Sequence, residues 1–439
     1  MAQTQDYWEK ILPQFDALPY PNRPLDENPA NNPNYLAVHN SVIPHYLRYQ
    51  QVIDTQDKWI LDAGCGSGYK LLALALANPG SHIVGIDISQ NSIELAQKRL
   101  EYHGIKNPAE FHCLRIEALP SLGQTFDYIN CDDVLYLLAD PTEGLKAMKA
   151  VLNPDGIIRV NMHSSIQRAG FYRVQDFFKC LGCLEGAPTD EEIALTRATM
   201  AALQDWVIVK KQTWKADFET NDERILANYL LRGDTGINMP IFSSMLRQAG
   251  LEFISMVYWR LWNIEALFKS IEDLPVAVAL GIADMGIEEQ LHLFELLHPK
   301  HRLLDLYCGH PDRGKNRPPV ADWNYEQWQK AIVYLHPQLQ TDSFREILVE
   351  GGEKLGMIPL QKFLESDGNP CSIDTSIATC LYPLLDVPQP MTAMVQRWLQ
   401  IRPLDPITLQ PADPQKAFAT LRDFVVDMEA AGYVMVELP

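Results

Sequence analysis

Four small or acidic residues alternate in the sequence DAGCGSG, close behind an apolar segment. Asp62, Gly64, Gly66 and Gly68 occupy every second position, and glycine lets a backbone turn tightly and approach a ligand closely. Asp87 follows Gly68 by 19 residues (87 − 68), an offset at which a carboxylate can accept hydrogen bonds from ribose hydroxyls. The spacing therefore predicts a site for a nucleoside-containing cofactor.

Two apolar strands and a helix must hold these residues in place. Residues 59–61 predict a strand that leads into the turn, and residues 71–76 predict an apolar helix behind it. Residues 82–86 predict a second strand that delivers Asp87. The amino end of the helix would point at the turn, which favours a polar or anionic ligand group. A tight turn without a ligand is the alternative, but the strand, turn, helix, second strand and acidic residue together favour a cofactor site.

DAGCGSG and the downstream GIDIS resemble motifs I and II of the class I S-adenosylmethionine-dependent methyltransferases. A dinucleotide dehydrogenase would instead carry G-x-G-x-x-G, whereas this turn reads G-x-G-x-G with Asp62 at its head. The resemblance covers about residues 35–310. It implies an α/β fold with a seven-stranded Rossmann-like sheet, and S-adenosyl-L-methionine as the cofactor.

The resemblance also implies which residues bind the cofactor. The position that often supplies an aspartate to the adenine holds Arg115 here, so Glu117 and the backbone of Ile116 are the predicted substitutes. The complete set of expected cofactor-binding residues is Asp62, Gly64, Cys65, Gly66, Gly68, Asp87, Ile88, Ile116, Glu117 and Asn130.

The segment FDYINCDDVLYLLADP, residues 126–141, resembles motif IV of the family and implies the place where acceptor and cofactor meet. Adjacent residues of a strand face opposite ways, so at most one of Asp132 and Asp133 is expected to point into the site. Asp132, Tyr136 and His163 are the predicted catalytic residues. The alternatives are solvated loop carboxylates and a loop histidine that acts as a substrate contact or has no catalytic role.

Proline positions and apolar patterns divide the chain into predicted domains. Residues 1–55 would form an amino-terminal arm, either a lid over the cofactor or a surface segment. Residues 56–312 would form the methyltransferase domain, with a helical insertion at residues 164–240 that covers the substrate entrance. Arg302 to Cys308 is expected to be the antiparallel seventh strand. Residues 318–439 would form a small α+β accessory domain, with a winged-helix-like arrangement as one form.

Composition excludes several classes of partner. The 439 residues carry a formal net charge of −19, which disfavours nucleic-acid backbones and anionic lipid. No apolar run approaches the length that spans a bilayer, and the first residues do not resemble a secretory signal. The eight scattered cysteines are typical of reduced thiols, so we expect a cytoplasmic protein. The histidines and Cys308 between residues 292 and 310 match no common zinc spacing, so no metal is predicted.

The order of an amino-terminal arm, the cofactor-binding fold, a helical insertion and an acidic carboxyl-terminal domain is similar to that of bacterial protein methyltransferases with an accessory domain. It implies methyl transfer to a lysine or asparagine side chain of a protein substrate that the carboxyl-terminal domain binds. A small-molecule methyltransferase acting on a phenol, quinone precursor or secondary metabolite is one alternative. A non-catalytic cofactor-binding protein is the other, since fold alone does not determine function.

Overall fold

The computed structural model describes residues 16, 19–183, 188–314, 317–354, 356–364 and 372–439. The chain divides into two compact units. The first contains residues 1–27, 57–72 and 81–311, and the second contains residues 28–56, 73–80 and 312–439.

The first unit is built on a mixed sheet. Its strands are β1 (Trp59–Ala63), β2 (His82–Asp87), β3 (Ala109–Cys113), β4 (Phe126–Cys131), β5 (Leu152–Ser164), β6 (Gly236–Ile237), β7 (Glu252–Met256) and β8 (Leu303–Gly309). The order is β3-β2-β1-β4-β5-β8-β7, with the short β6 paired to β5 outside this path. β8 runs antiparallel to β5 and β7, while β1 to β5 pair in parallel. The predicted Rossmann-like sheet and its antiparallel closing strand are confirmed.

The helices follow in chain order across both units. They are α1 (Pro33–Ala37), α2 (Val42–Tyr49), α3 (Tyr69–Ala77), α4 (Gln90–Tyr102), α5 (Pro141–Ala150), α6 (Ala169–Cys180), α7 (Asp190–Ala202), α8 (Ile208–Thr213), α9 (Asp222–Asn228), α10 (Met239–Ala249), α11 (Val276–Asp284), α12 (Ile287–Leu297), α13 (Tyr325–Lys330), α14 (Asp342–Lys354), α15 (Thr375–Leu381), α16 (Met391–Ile401) and α17 (Pro414–Ala430). Within the described part of the chain, no helix has the length and apolar composition needed to cross a bilayer.

The central strands are apolar along most of their length because parallel strands are covered on both faces. In β1 and β2, Leu61, Val84 and Ile86 are fully or almost fully buried in the main core. The Ser89 side chain caps α4 by accepting a hydrogen bond from the Ser92 amide, the start that a serine at this position favours. These contacts fix the carboxyl ends of β1 and β2 beside each other.

Four helices, α6 to α9, lie between β5 and β6. Apolar side chains from these helices and their connections form a small core of their own, which includes Val174, Ile193 and Ile225. The region is mostly helical, as the sequence predicts for residues 164–240.

The second unit contains a three-stranded antiparallel sheet in the order β12-β9-β13, from β9 (Ile332–Leu335), β12 (Gln389–Pro390) and β13 (Val434–Glu437). A two-stranded ladder joins β10 (Ile358–Pro359) and β11 (Ser372–Ile373). This is an α+β unit, as expected for the carboxyl-terminal region.

The second unit also includes residues 28–56, so the predicted arm of residues 1–55 is divided between the two units. The buried Tyr46 hydroxyl donates to Glu429 Oε1 at 2.7 Å and accepts from the Val436 amide at 3.1 Å. Buried polar groups need such partners, and for Tyr46 they lie in the second unit. Of the predicted arm, Asp16 and residues 19–27 are described and belong to the first unit, and the other residues before position 28 lie outside the described part of the chain.

Candidate functional site

The glycine-rich turn joins the carboxyl ends of β1 and β2. The Gly64 and Cys65 amides both donate to the Ile86 carbonyl, at 2.9 and 2.8 Å. The Gly66 amide donates to Asp87 Oδ2 at 2.9 Å, and the Ser89 amide donates to Asp87 Oδ1 at 2.9 Å. A carboxylate oxygen can accept more than one hydrogen bond, so Asp87 is oriented by the backbone and keeps acceptor capacity for a ligand.

A segment of the amino-terminal arm lies against the same turn. The Ser67 amide donates to the Tyr20 carbonyl at 3.0 Å, and the Ser67 hydroxyl donates to the Pro21 carbonyl at 2.7 Å. Gly66 has φ +49°, and a Cβ there would lie 2.0 Å from the Tyr20 carbonyl oxygen. The close approach of the two backbones therefore requires glycine at position 66.

Arg99 of α4 fixes this arm, and the sequence analysis missed it. Its guanidinium is fully buried and donates to the carbonyls of Ser67 at 2.9 Å, Arg23 at 2.8 Å and Pro24 at 2.7 Å. Burial lowers the pKa of Arg99 from its ordinary value. One side chain thus ties the turn and the arm together.

A cleft of about 730 Å³, measured out to its mouth, opens at this edge of the sheet. Its polar and small lining residues are Tyr20, Pro21, Gly64, Cys65, Gly66, Lys70, Asp87, Ser92, Asp132 and Asp133. Its apolar lining residues are Ile88, Leu114, Ile116, Val134, Leu137 and Leu138. The cleft therefore has an apolar wall and a charged floor.

Four of the predicted cofactor-binding residues do not line this cleft. Asp62 is fully buried beneath the turn, where Oδ1 accepts from Asn130 Nδ2 at 2.8 Å. Among the described residues, Asp62 Oδ2 and Glu117 Oε2 have no hydrogen-bond partner. Burial raises the pKa of Asp62 to about 7. A Cβ at Gly68 would lie 2.5 Å from Ala96 Cα, so this glycine allows the turn to pack on α4.

Lys70 is the main charged residue that the sequence analysis missed on the cleft floor. Its ammonium donates to the Asp132 carbonyl at 2.6 Å and lies 3.2 Å from Asp132 Oδ2 and 3.7 Å from Asp133 Oδ2. The signal in the sequence was one lysine in the otherwise apolar helix YKLLALALA. A cation in such a helix needs an ionic partner when it is buried.

Both Asp132 and Asp133 line the cleft, so the expectation that at most one does is wrong. The reason is that Asp133 follows the end of β4 and has φ +60°, a left-handed conformation that interrupts the strand alternation. Asn161 binds both residues: its Nδ2 donates to Asp132 Oδ1 at 2.6 Å, and its Oδ1 accepts from the Asp133 amide at 2.9 Å. Burial opposes ionisation of Asp133, but Arg302 and Lys70 outweigh it and lower its pKa.

Tyr136 and His163, both predicted to be catalytic, lie behind the cleft lining. Their rings stack with centroids 3.9 Å apart, and the Tyr136 hydroxyl donates to Asp133 Oδ1 at 3.3 Å. Both imidazole nitrogens of His163 are engaged, Nδ1 with Asp234 at 2.5 Å and Nε2 with Arg302 at 2.7 Å. Burial lowers the pKa of His163, so the neutral form is favoured. In this arrangement His163 is not free to act as a base on an acceptor.

Comparisons with known proteins agree with the fold and the turn. Residues 54–220 match a methyltransferase domain family. An uncharacterised Synechococcus protein is 25% identical over 326 residues, 74% of this chain and 75% of that protein. A ubiquinone biosynthesis O-methyltransferase of Coxiella burnetii is 34% identical over 129 residues, 29% of this chain. The match spans about half, 53%, of that O-methyltransferase.

Among solved structures, PKMT2 from Rickettsia typhi is similar with a TM-score of 0.59 at 17% sequence identity. The similarity covers 93% of this chain and 76% of PKMT2. PKMT2 in complex with AdoHcy gives a TM-score of 0.58. At this identity the likeness shows a shared fold across nearly all of the chain.

Proposed function

We propose that this chain, which carries a class I S-adenosylmethionine-dependent methyltransferase domain, methylates a nitrogen of a lysine or asparagine side chain in a protein. One observation carries the cofactor part of the proposal. The Asp87 carboxylate is fixed between the Gly66 and Ser89 amides beside a cleft at the carboxyl edge of parallel strands. Open α/β sheets bind nucleotide-like ligands at this edge.

S-adenosyl-L-methionine is the methyl donor of this domain. In the proposed complex, Asp87 accepts hydrogen bonds from the ribose hydroxyls, and the apolar wall at Ile88 and Ile116 contacts the adenine. The backbone of residues 64–66 lies along the amino-acid portion. The unpartnered Asp62 Oδ2 suits the cationic amino group of that portion, reached directly or through a water molecule. We propose that Asn130 orients Asp62, that Glu117 reaches the adenine edge, and that Gly68 positions the turn.

Methyl transfer from a sulfonium depends mainly on alignment of the acceptor and on exclusion of water. The carboxylates of Asp132 and Asp133 already pair with Lys70, and Arg302 further pairs with Asp133. Paired carboxylates are weak bases, so we propose that they orient an acceptor nitrogen that arrives uncharged. Tyr136 and His163 then support Asp133 from behind.

The choice of a protein acceptor is supported by architecture. The fold likeness to PKMT2 extends over 93% of the chain and so includes the second unit. Cofactor binding does not need this unit, and in the proposal it binds the protein substrate. The O-methyltransferase relative favours a small-molecule acceptor as the second candidate. That match covers only 129 residues, a length close to that of the cofactor-binding half of the methyltransferase domain.

The seven described cysteines are free thiols, which supports the proposed cytoplasmic location.

The test is incubation of the purified protein with methyl-labelled S-adenosylmethionine and a lysate of its own host cells. Protein and solvent-extractable fractions are then counted separately, with the Asp87→Ala variant as the matched control. Label on a protein band that is absent with the variant supports the proposal. Label in the organic extract supports the small-molecule candidate. Absence of label from both fractions, with cofactor binding confirmed, supports a non-catalytic cofactor-binding protein.

A further inference from the structure

A continuous chain of hydrogen-bonded polar side chains, most of them charged, runs from the cleft floor into the helical insertion. Arg302 donates through NH2 to Asp133, at 3.0 Å to Oδ1 and 3.2 Å to Oδ2. The other terminal nitrogen of Arg302 contacts His163 Nε2 at 2.7 Å. His163 Nδ1 contacts Asp234 Oδ1 at 2.5 Å, and Asp234 Oδ2 accepts from Arg168 at 2.7 Å. Asp133 lines the cleft, whereas Asp234 and Arg168 lie in or beside the insertion.

The hydrogen-bonding capacities of these groups fix the proton on His163. A guanidinium has donors only, so the Nε2 that faces Arg302 must present its lone pair. A neutral imidazole carries one proton, which therefore lies on Nδ1 and is donated to Asp234. The opposite tautomer would place an N–H against the guanidinium of Arg302 and leave Asp234 without this donor. The Arg302 contact to His163 thus depends on a hydrogen-bond acceptor at position 234.

Asp234 is held more tightly than an ordinary surface acid. The side chains of Asp234, His163 and Arg168 are all 0% exposed. Asp234 also accepts from the Tyr172 hydroxyl at 3.2 Å and from Gln175 Nε2 at 3.2 Å, both on α6. A buried carboxylate with this many donors has one orientation, and it transmits that orientation to the imidazole.

We propose that Asp234 is a positioning residue of the methyl-transfer site: it selects the Nδ1–H tautomer of His163, which holds Arg302 against Asp133. The role of Asp234 at the acceptor rests on the proposed function, whereas the tautomer of His163 and the ionisation of Asp133 do not. The insertion therefore contributes to the chemistry through Asp234. His163 acts through Arg302 and does not itself touch the acceptor.

The experiment compares the wild type with D234N, using D176N as the matched control. Asp176 also belongs to the insertion but pairs with Lys179 on the surface, with 70% of its side chain exposed. Nitrogen NMR of labelled histidine, with the His163 signal assigned by its loss in H163Q, reports the tautomer. Carbon NMR of labelled aspartate reports the pKa of Asp133.

We expect the Nδ1–H tautomer in the wild type and D176N, and its loss in D234N, because Arg168 would hold the asparagine oxygen and leave the amide nitrogen, a donor, facing Nδ1. The pKa of Asp133 should rise in D234N as Arg302 moves away. Methyl transfer should fall on the order of tenfold to a hundredfold, with unchanged affinity for S-adenosylhomocysteine. An unchanged tautomer and an unchanged Asp133 titration in D234N would overturn the proposal, whether or not an acceptor is known.

The double variant that combines D234N with H163Q separates simple loss of folding from the relay, which is the path of contacts from Asp234 through His163 and Arg302 to Asp133. Glutamine has no tautomers, and in H163Q its amide oxygen can accept from Arg302 without help from Asp234. We therefore expect D234N to change the Asp133 titration in the wild-type background and to add little in the H163Q background. An equal effect of D234N in both backgrounds would contradict the relay, since neighbouring groups acting through one another are not additive.

Discussion

The proposed cofactor end and the proposed acceptor end of the cleft are built in different ways. At the cofactor end, backbone amides of residues 64–66 and one carboxylate, Asp87, come from a single stretch of about thirty residues. At the acceptor end, side chains from separate segments meet, as Arg302 does with His163 across 139 positions of sequence. A backbone site follows from local turn geometry, whereas a charge network exists only once the whole fold has formed. The first end is therefore readable from sequence and the second is not.

The first prediction tests the cofactor end, where backbone amides form the site, and has the largest expected effect. Gly66→Ala should abolish measurable binding of S-adenosylhomocysteine, because the new Cβ would lie 2.0 Å from the Tyr20 carbonyl oxygen. Calorimetry measures the affinity. Gly123→Ala is the matched control: Gly123 has φ +67°, a similar strain of about 1–2 kcal/mol, but nothing lies within 4 Å of its Cβ position. Equal losses in both variants would attribute the effect to strain and contradict the close-approach argument.

The second prediction concerns the link between the turn and the arm. Arg99→Gln removes donors from the carbonyls of Arg23, Pro24 and Ser67, and should lower the free energy of unfolding by about 2–3 kcal/mol. Lys98→Gln, an exposed neighbour on α4, should change it by less than about 0.5 kcal/mol. Chemical denaturation measures both. A loss for Arg99→Gln no larger than that for Lys98→Gln would show that the arm does not depend on this side chain.

The third prediction uses pH to test the buried carboxylate beneath the glycine-rich turn. Burial raises the pKa of Asp62 to about 7 from its ordinary value of 3.8, so between these pH values the folded protein holds a proton that the unfolded chain releases. The contribution of Asp62 to stability is therefore present at low pH and is lost as the pH rises from about 4 to about 7. We expect the stability difference between the wild type and Asp62→Asn to change in this window and to be constant above it. A flat difference from pH 4 to pH 8 would mean that the pKa of Asp62 is not raised.

Much of the fold was predictable because its signals are local. Continuous apolar runs and alternate glycines predicted β1, α3 and β2 to within one or two residues, and the sheet confirmed the closing strand near residues 302–308. Asp87 was placed correctly for the same reason, since its offset from Gly68 is set by one helix and one strand. Its role with the cofactor stays a prediction.

The charged floor was not predictable in detail. Strand alternation predicted that Asp132 and Asp133 would face opposite ways, but the left-handed φ of Asp133 brings both into the cleft. His163 looked like a candidate base because no sequence pattern reveals Arg302 and Asp234 on its two nitrogens. The partners of Tyr46 were not predictable for a similar reason, since they come almost four hundred positions later.

The most direct measurement is calorimetric titration of S-adenosylhomocysteine into the wild type, Asp87→Asn and Asp87→Ala. The account predicts that the wild type binds one molecule per chain, and that Asp87→Ala loses affinity by on the order of a hundredfold, about 3 kcal/mol, because a charged acceptor is removed. Asp87→Asn, which keeps one acceptor oxygen, should fall between the two. Wild-type affinity in Asp87→Ala would contradict the assignment of this carboxylate to the cofactor, and with it the proposed site.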